Sequence, residues 1–136
     1  MENCIFCKII TNEIPAQKVY EDECTLAFLD IKPNHPGHTL VIPKEHFANI
    51  YVTPAETYAR MSLVAQKIAV TLKQSLECDG VNIIMNNDEG AGQVIFHSHI
   101  HVIPRYKDDG FVYFPQGEYK QGEAEEVLEK IKSFIK

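Results

Sequence analysis

Val94-Ile95-Phe96-His97-Ser98-His99-Ile100-His101-Val102-Ile103 carries a histidine at every second position of its later half, in a β-branched setting that Pro104 closes. That composition predicts a strand over 94–103. Successive strand side chains point to opposite faces, so His97, His99 and His101 share one face while Phe96, Ser98, Ile100 and Val102 share the other. A strand rises roughly 3.3 Å per residue, which spreads the outer two imidazoles about 13 Å apart at their roots. One ion does not take all three; a neighbouring pair such as His97 and His99 could chelate together, leaving the third for other work. Neutral imidazole is also well suited to nucleophilic attack and proton transfer near neutral pH. The row points to divided labour, against the plainer alternative of an edge strand with solvated histidines. Gly90, Gly92 and Gln93 stand just before it, a backbone turn able to offer N–H groups to an anion.

Upstream, Val81 to Met85 reads as a partner strand, separated from the histidine row by Asn86–Gly92. Thr53-Pro54-Ala55-Glu56 has the marks of a helix start: Thr53 as N-cap, Pro54 in the first helical position and Glu56 closing a capping box. Met61, Val64, Ala65, Ile68, Leu72 and Leu76 then recur at three-to-four spacing, an apolar stripe for a sheet, until Asp79-Gly80 ends the helix. Lys18 to Glu21 and Thr25 to Asp30 read as a hairpin, and Thr39 to Ile42 as a third strand ending at Pro43. His35 and His38 fall in the turn-rich loop before it and receive no role. A short helix capped by Asn3 carries Cys4, Ile5, Phe6, Cys7, Ile9 and Ile10. Beyond the aromatic-rich segment 106–122, Val127, Leu128, Ile131 and Ile135 give an amphipathic terminal helix that packs on the body or on a partner. The order predicts an α+β fold: a five-stranded, mostly antiparallel sheet with one long helix, a short N-terminal helix and a C-terminal helix.

With 136 residues and 45% hydrophobic content, the chain supports one domain with a single core. A net charge of −6 disfavours broad electrostatic binding to nucleic acid, yet leaves a single phosphate open to histidines and backbone amides. No apolar run reaches membrane-spanning length, and the first residues lack the basic-then-apolar pattern of a secretory signal, which predicts a cytoplasmic protein. In a reducing compartment the four cysteines are not expected in disulfides. Cys4-Ile5-Phe6-Cys7 is then metal-binding, redox-active or a packing pair, and Cys24 and Cys78 are core thiols. The C-x₂-C spacing brings two thiolates to one tetrahedral ion, with His46 and His97 the best donors for the other two positions; His99 and His101 stay free. No βαβ pattern surrounds the pair, which argues against a thioredoxin-like role.

On these residues the sequence resembles the histidine-triad (HIT) superfamily, whose signature is His-x-His-x-His followed by apolar residues, and particularly its Hint-like branch of nucleotide-binding homodimers. The likeness runs from Ile5-Phe6 and Glu13-Ile14-Pro15 through Ala27–Ile31, Leu40–His46 and Asn86 to Gly92-Gln93 and His97–His101. It implies that His99 attacks an α-phosphorus to form a nucleotidyl-histidine that water hydrolyses, with His101 donating a hydrogen bond beside the phosphate. The amides of Gly92, Gln93 and Val94, with the Gln93 side chain, would stabilise the charge building on phosphorus. The resemblance further implies Asp30 on the ribose hydroxyls, Ile5, Phe6, Ile9, Phe28 and Ile31 as an apolar base slot, and Asn86 near the phosphate. Cys4, Cys7, His46 and His97 match a structural zinc site of many bacterial members. Val94 stands where the branch often has a hydroxyl residue, Ser98 where an apolar one is usual, and the segment from about Arg105 has no close counterpart. The expectation is one HIT domain over 1–136, with a core at 1–104 and a C-terminal loop and helix at 105–136, working as a homodimer. Its expected partner is a purine nucleotide or nucleotide conjugate, such as a nucleoside phosphoramidate or an adenylated small molecule, then a diadenosine polyphosphate. A zinc hydrolase built on His97 and His99, and a nucleotide-binding sensor without turnover, are the competing classes.

Overall fold

Residues 3–136 are described by a computed structural model. Alternating apolar side chains form five strands: β1 (Lys18–Glu21), β2 (Thr25–Leu29), β3 (Thr39–Pro43), β4 (Gly80–Ile84) and β5 (Ile100–Arg105). They pair in the order β1-β2-β3-β5-β4, antiparallel throughout. Among the described residues there are also three helices, α1 (Ile5–Ile10), α2 (Ala55–Leu76) and α3 (Glu123–Phe134), and a single 3-10 turn at Glu89–Ala91. No helix among the described residues is long and apolar enough to cross a membrane.

The period-2 pattern splits the core between the two faces of the sheet. Ala27, Val41, Ile100 and Val102 face α2, whose Met61, Val64, Ala65, Ile68 and Leu72 are buried against them. Leu26, Phe28, Leu40 and Ile42 face the other way, where Phe6 and Ile9 of α1 cover them. His101 pairs in register with Leu40 and with Ile84, and so stands on the α1 face. Emptying a fully buried position such as Met61 by substitution with Ala costs about 2–5 kcal/mol.

Several expected boundaries move, each for a local reason. β5 begins at Ile100, not at Val94, because the Ser98 N–H donates to the Phe47 carbonyl at 2.6 Å and so leaves the strand ladder. The α2 N-cap is Pro54, and no capping box forms. Instead the Thr53 hydroxyl donates to the Asn49 carbonyl at 2.7 Å and lies 2.6 Å from Ser98 Oγ. Since Thr53 has one proton to give, Ser98 donates in that pair. α2 stops at Leu76 because Glu77 turns into the left-handed region at φ 53°, and Gly80 opens β4 instead of ending the helix. Cys4, not Asn3, caps α1. Cys78 is buried in the core, whereas Cys24 is half-buried, its sulfur accepting from Arg60 Nη1 at 3.6 Å. The amphipathic α3 is formed, but none of its residues is buried.

Candidate functional site

Two clusters divide the histidine row. In the first, the α1 N-terminus presents Cys4 and Cys7, the loop after β3 presents His46, and the extended segment before β5 presents His97. One donor atom from each lies within 4.8 Å of all the others. Cys4 Sγ is 3.4 Å and Cys7 Sγ 3.6 Å from His97 Nδ1; Cys7 Sγ is 3.4 Å from His46 Nδ1, and the two Nδ1 atoms are 3.1 Å apart. A tetrahedral ion with metal–sulfur bonds near 2.3 Å and metal–nitrogen bonds near 2.05 Å needs edges of roughly 3.6 Å between S and N and 3.3 Å between N and N. Those four of the six edges match that tetrahedron closely, and the other two lie within 4.8 Å.

Protonation agrees with the geometry. His97 Nε2 lies 2.8 Å from the Pro43 carbonyl, so Nε2 carries the proton and Nδ1 turns its lone pair to the cluster. Burial pushes His97 down to about 4 and lowers His46, keeping both imidazoles neutral near pH 7. Burial and the neighbouring Cys4 push the Cys7 thiol up to about 11. Two thiolates there call for a compensating cation, and a Cys₂His₂ set suits zinc.

The second cluster begins at His99. Its Nδ1 lies 2.7 Å from the His97 carbonyl, which accepts only from an N–H; the proton therefore sits on Nδ1 and the lone pair on Nε2. Burial holds His99 below the usual histidine range, so the ring is neutral. Phe6 packs edge-on against both His97 and His99, at 5.8 and 5.3 Å between centroids, and so wedges the two clusters apart.

His101 is oriented by a histidine that the sequence reading left without a role. The Asn34 N–H donates to His38 Nδ1 at 3.0 Å, which leaves the His38 proton on Nε2. That proton goes to His101 Nδ1, 2.9 Å away, and so His101 keeps its own on Nε2. Burial lowers His38 and takes His101 to about 4, so the relay is neutral. The missed signal is register: Thr39 pairs with Val102 and Leu40 with His101, which makes His38 the diagonal same-face neighbour of His101. Asp30, His38 and His101 also have donor atoms within 4.8 Å of one another. This group suits a metal poorly, because the Asn34 amide claims Nδ1 of His38 and Nε2 must keep its proton.

Among the described residues, Arg105 Nε is the one buried side-chain polar atom without a partner. Among the described residues the Nε2 atoms of His99 and His101 have no partner, yet neither is fully enclosed: a lone pair stands beside an N–H, with the ring centroids 5.0 Å apart. Beside them lies an apolar cleft of about 130 Å³ that gathers Ile5, Phe6, Ile9, Phe28 and Ile31 with Asp30 at its polar edge. Ile14, Pro15, Ala16 and Leu40, which the sequence reading did not assign to the slot, complete its wall. Asp30 accepts the Lys32 N–H at 2.9 Å through Oδ1, while Oδ2 lies 3.8 Å from His38 Nε2.

The loop before the row corrects one expectation. The Gly92 N–H donates to the Glu89 carbonyl at 2.9 Å and the Gln93 N–H to the Asp88 carbonyl at 3.1 Å, so neither is free for an anion. The Gln93 side chain is buried and fully used: it accepts the Asp88 N–H at 2.8 Å and donates to the carbonyls of Ala48 at 2.6 Å and Ile95 at 3.0 Å. It braces the loop and has no capacity left for a phosphate. Among the described residues only the Val94 N–H of the three stays unengaged, on a residue that is 80% exposed. Asn86 lies near this turn, its Nδ2 3.7 Å from where a Gly92 side chain would begin.

The HIT domain pattern matches residues 11–108. An uncharacterized HIT-like protein of Methanocaldococcus jannaschii is 49% identical over 129 residues, 95% of this chain and 98% of that protein. An adenylylsulfatase of Arabidopsis thaliana is 43% identical over 107 residues, 79% of this chain and 54% of that protein. A crystal structure of a Streptococcus mutans protein superimposes with a TM-score of 0.94 at 44% identity, covering 100% of this chain and 87% of the other. A histidine triad nucleotide-binding protein from Candida albicans gives 0.86 at 35% identity and 96% coverage of both chains. A Zn-bound histidine triad family protein from Mycobacterium smegmatis gives 0.79 at 38% identity and 97% coverage of both. The alignment with the Streptococcus mutans structure takes in the whole of this chain, its C-terminal segment included.

Proposed function

The chain belongs to the HIT family, and from that membership and the cleft we propose a nucleotide-binding hydrolase or transferase that cleaves at an α-phosphorus through a nucleotidyl-histidine on His99. The observation that carries this is the His99 ring, whose Nδ1 proton is pinned to the His97 carbonyl at 2.7 Å while Nε2, without a partner among the described residues, is not fully enclosed. Attack forms the Nε2–phosphorus bond as the bond to the leaving group breaks. Positive charge then develops on the imidazole, and the carbonyl facing Nδ1–H stabilises it. His101 Nε2–H and the Val94 N–H supply donors to the phosphoryl oxygens or the departing group; water then hydrolyses the adduct.

For the nucleoside, Asp30 accepts from the ribose hydroxyls, and the base enters the slot of Ile5, Phe6, Ile9, Phe28 and Ile31, with Asn86 toward the phosphate. Purine nucleoside phosphoramidates and adenylated small molecules are the proposed substrates; the related Arabidopsis thaliana adenylylsulfatase acts on a compound of that second kind. Cys4, Cys7, His46 and His97 would hold a zinc ion that ties α1 to the segment before β5, and no chemical step passes through it. We also read the protein as a homodimer. β1 guards its edge of the sheet with Lys18, Glu21 and a break in register, whereas β4, Gly80-Val81-Asn82-Ile83-Ile84, has no charge, proline or bulge on its open edge. AMP release from an adenosine phosphoramidate tests the activity. Wild-type turnover with none from His99→Ala supports it; equal turnover from the two sinks it.

A further inference from the structure

We propose that Arg105 and Asp109 are positioning residues for the reaction at His99: they clamp the loop 30–38 by Asn34 and His35, and through that loop they set which nitrogen of His101 carries its proton; this rests on the reading of His101 as a donor to the phosphoryl group.

The clamp lies along the strand it serves. β5 pairs with β4 without a break from His101 to Arg105, so strand alternation puts Arg105 on the same face as His101. The loop between β2 and β3 is tied to β5 at both of these residues. At its end His38 donates to His101 Nδ1 at 2.9 Å, and earlier in the loop Asn34 Oδ1 accepts from Arg105 Nη1 at 2.7 Å. Arg105 Nη2 also donates to Asp109 Oδ1 at 2.7 Å, while Asp109 Oδ2 lies 3.0 Å from His35 Nε2. Asp109 is fixed in turn by the N–H groups of Tyr106 at 2.9 Å and Phe111 at 3.0 Å. Both charges of the pair are largely buried, so it keeps one geometry where a surface pair would exchange several. Arg105 reaches Asn34 and Asp109 at the expense of its Nε, a buried donor left without a partner.

What the clamp controls is the aim of one amide. The Asn34 N–H, 3.0 Å from His38 Nδ1, confines the His38 proton to Nε2 and thereby leaves the His101 proton on its own Nε2. Among the described residues no other group hydrogen-bonds to His38 Nδ1. The bonds from the His38 N–H to the His35 carbonyl and from the Asp30 N–H to the His38 carbonyl hold the loop on either side without engaging Asn34. Asn34 is exposed, and apart from its own amide it is held among the described residues by Arg105 alone.

Substituting Arg105 would strand Asp109 in a largely buried site and endanger the fold, so the test is made at Asn34 in the full chain. Asn34→Ala removes the acceptor and keeps the amide; Asn34→Asp keeps an oxygen for Arg105. With an adenosine phosphoramidate, kcat of Asn34→Ala should fall about threefold or more while KM stays within about twofold, and Asn34→Asp should recover most of kcat. NMR of the 15N-histidine-labelled chain, read without substrate, supplies a signature that a purely structural role would not move. In wild type the two ring nitrogens of His101 should resonate far apart, one bare and one protonated; in Asn34→Ala they should approach each other as the tautomers mix. A kcat for Asn34→Ala within about twofold of wild type, an Asp variant no better than Ala, or a His101 spectrum that the alanine leaves unchanged overturns the clamp. A wild-type chain without turnover sinks the functional reading instead, and the clamp then stands or falls on the spectrum.

Discussion

His38→Ala tests the tautomer relay. The substitution removes the Nε2–H that lies 2.9 Å from His101 Nδ1 and leaves that nitrogen unpaired in a largely buried site. A buried neutral hydrogen bond is worth about 1 kcal/mol net, and an abandoned partner costs about 1–3 kcal/mol. If His101 loses about 1–2 kcal/mol of bias toward the tautomer with its proton on Nε2, the ratio of the two tautomers falls roughly 5–30-fold. The kcat for an adenosine phosphoramidate should drop by more than twofold and by no more than that factor. KM should move little, since Asp30 keeps its Lys32 N–H and the base slot is untouched. His38→Gln should restore much of kcat, its carbonyl accepting from the Asn34 amide and its NH₂ donating to His101. Steady-state kinetics of the three proteins, with urea titrations as the folding control, supply the readout. A kcat for His38→Ala within twofold of wild type, or a Gln variant no better than Ala, would refute the relay.

Metal analysis of the purified chain should return one zinc per chain, and Cys7→Ser should lose it and lower the melting temperature, because the cluster joins α1 to the segment before β5. Gly37→Ala should destabilise by about 1–3 kcal/mol in urea titrations: Gly37 has φ +102°, and an added Cβ would sit 2.5 Å from Leu76 Cδ1. His101 is held near 4 in the fold against an unfolded value near 6.5, so the unfolded state binds the extra proton between those limits. Stability should therefore fall as pH drops from 6.5 toward 4, by an amount of order 3 kcal/mol from this group, and His101→Asn should flatten that slope. Asp109 is held down to about 2 by the Tyr106 N–H and Arg105, so its contribution should persist to pH 4 and fade between 4 and 2. Asp109→Asn should abolish that acid limb.

Where a residue's role followed from its own spacing, the sequence carried it. The α2 stripe, the hairpin, β3 and the C-x₂-C pair needed only periodicity or a local count. Roles set by distant partners were hidden. The Thr53 capping box was plausible locally, but Asn49 and Ser98 claim the hydroxyl. Gln93 was adjacent to glycines that suggested an anion loop, and three backbone groups claim its amide instead. The histidine strand was drawn too long because the loop carbonyl of Phe47, far away in sequence, takes the Ser98 N–H. His38 looked like one more loop histidine until β3 and β5 were paired. α3 was read correctly as amphipathic, but its pattern does not name the surface it covers.

The central claim is that His99 bonds to phosphorus, and rapid quench of wild-type protein with an adenosine phosphoramidate, followed by peptide mass spectrometry, tests it most directly. The account predicts an acid-labile adenylyl group on His99 that forms within the first turnover and decays as AMP is released. Turnover at full rate with no adduct at any quench time, or an adduct on another residue, would contradict it.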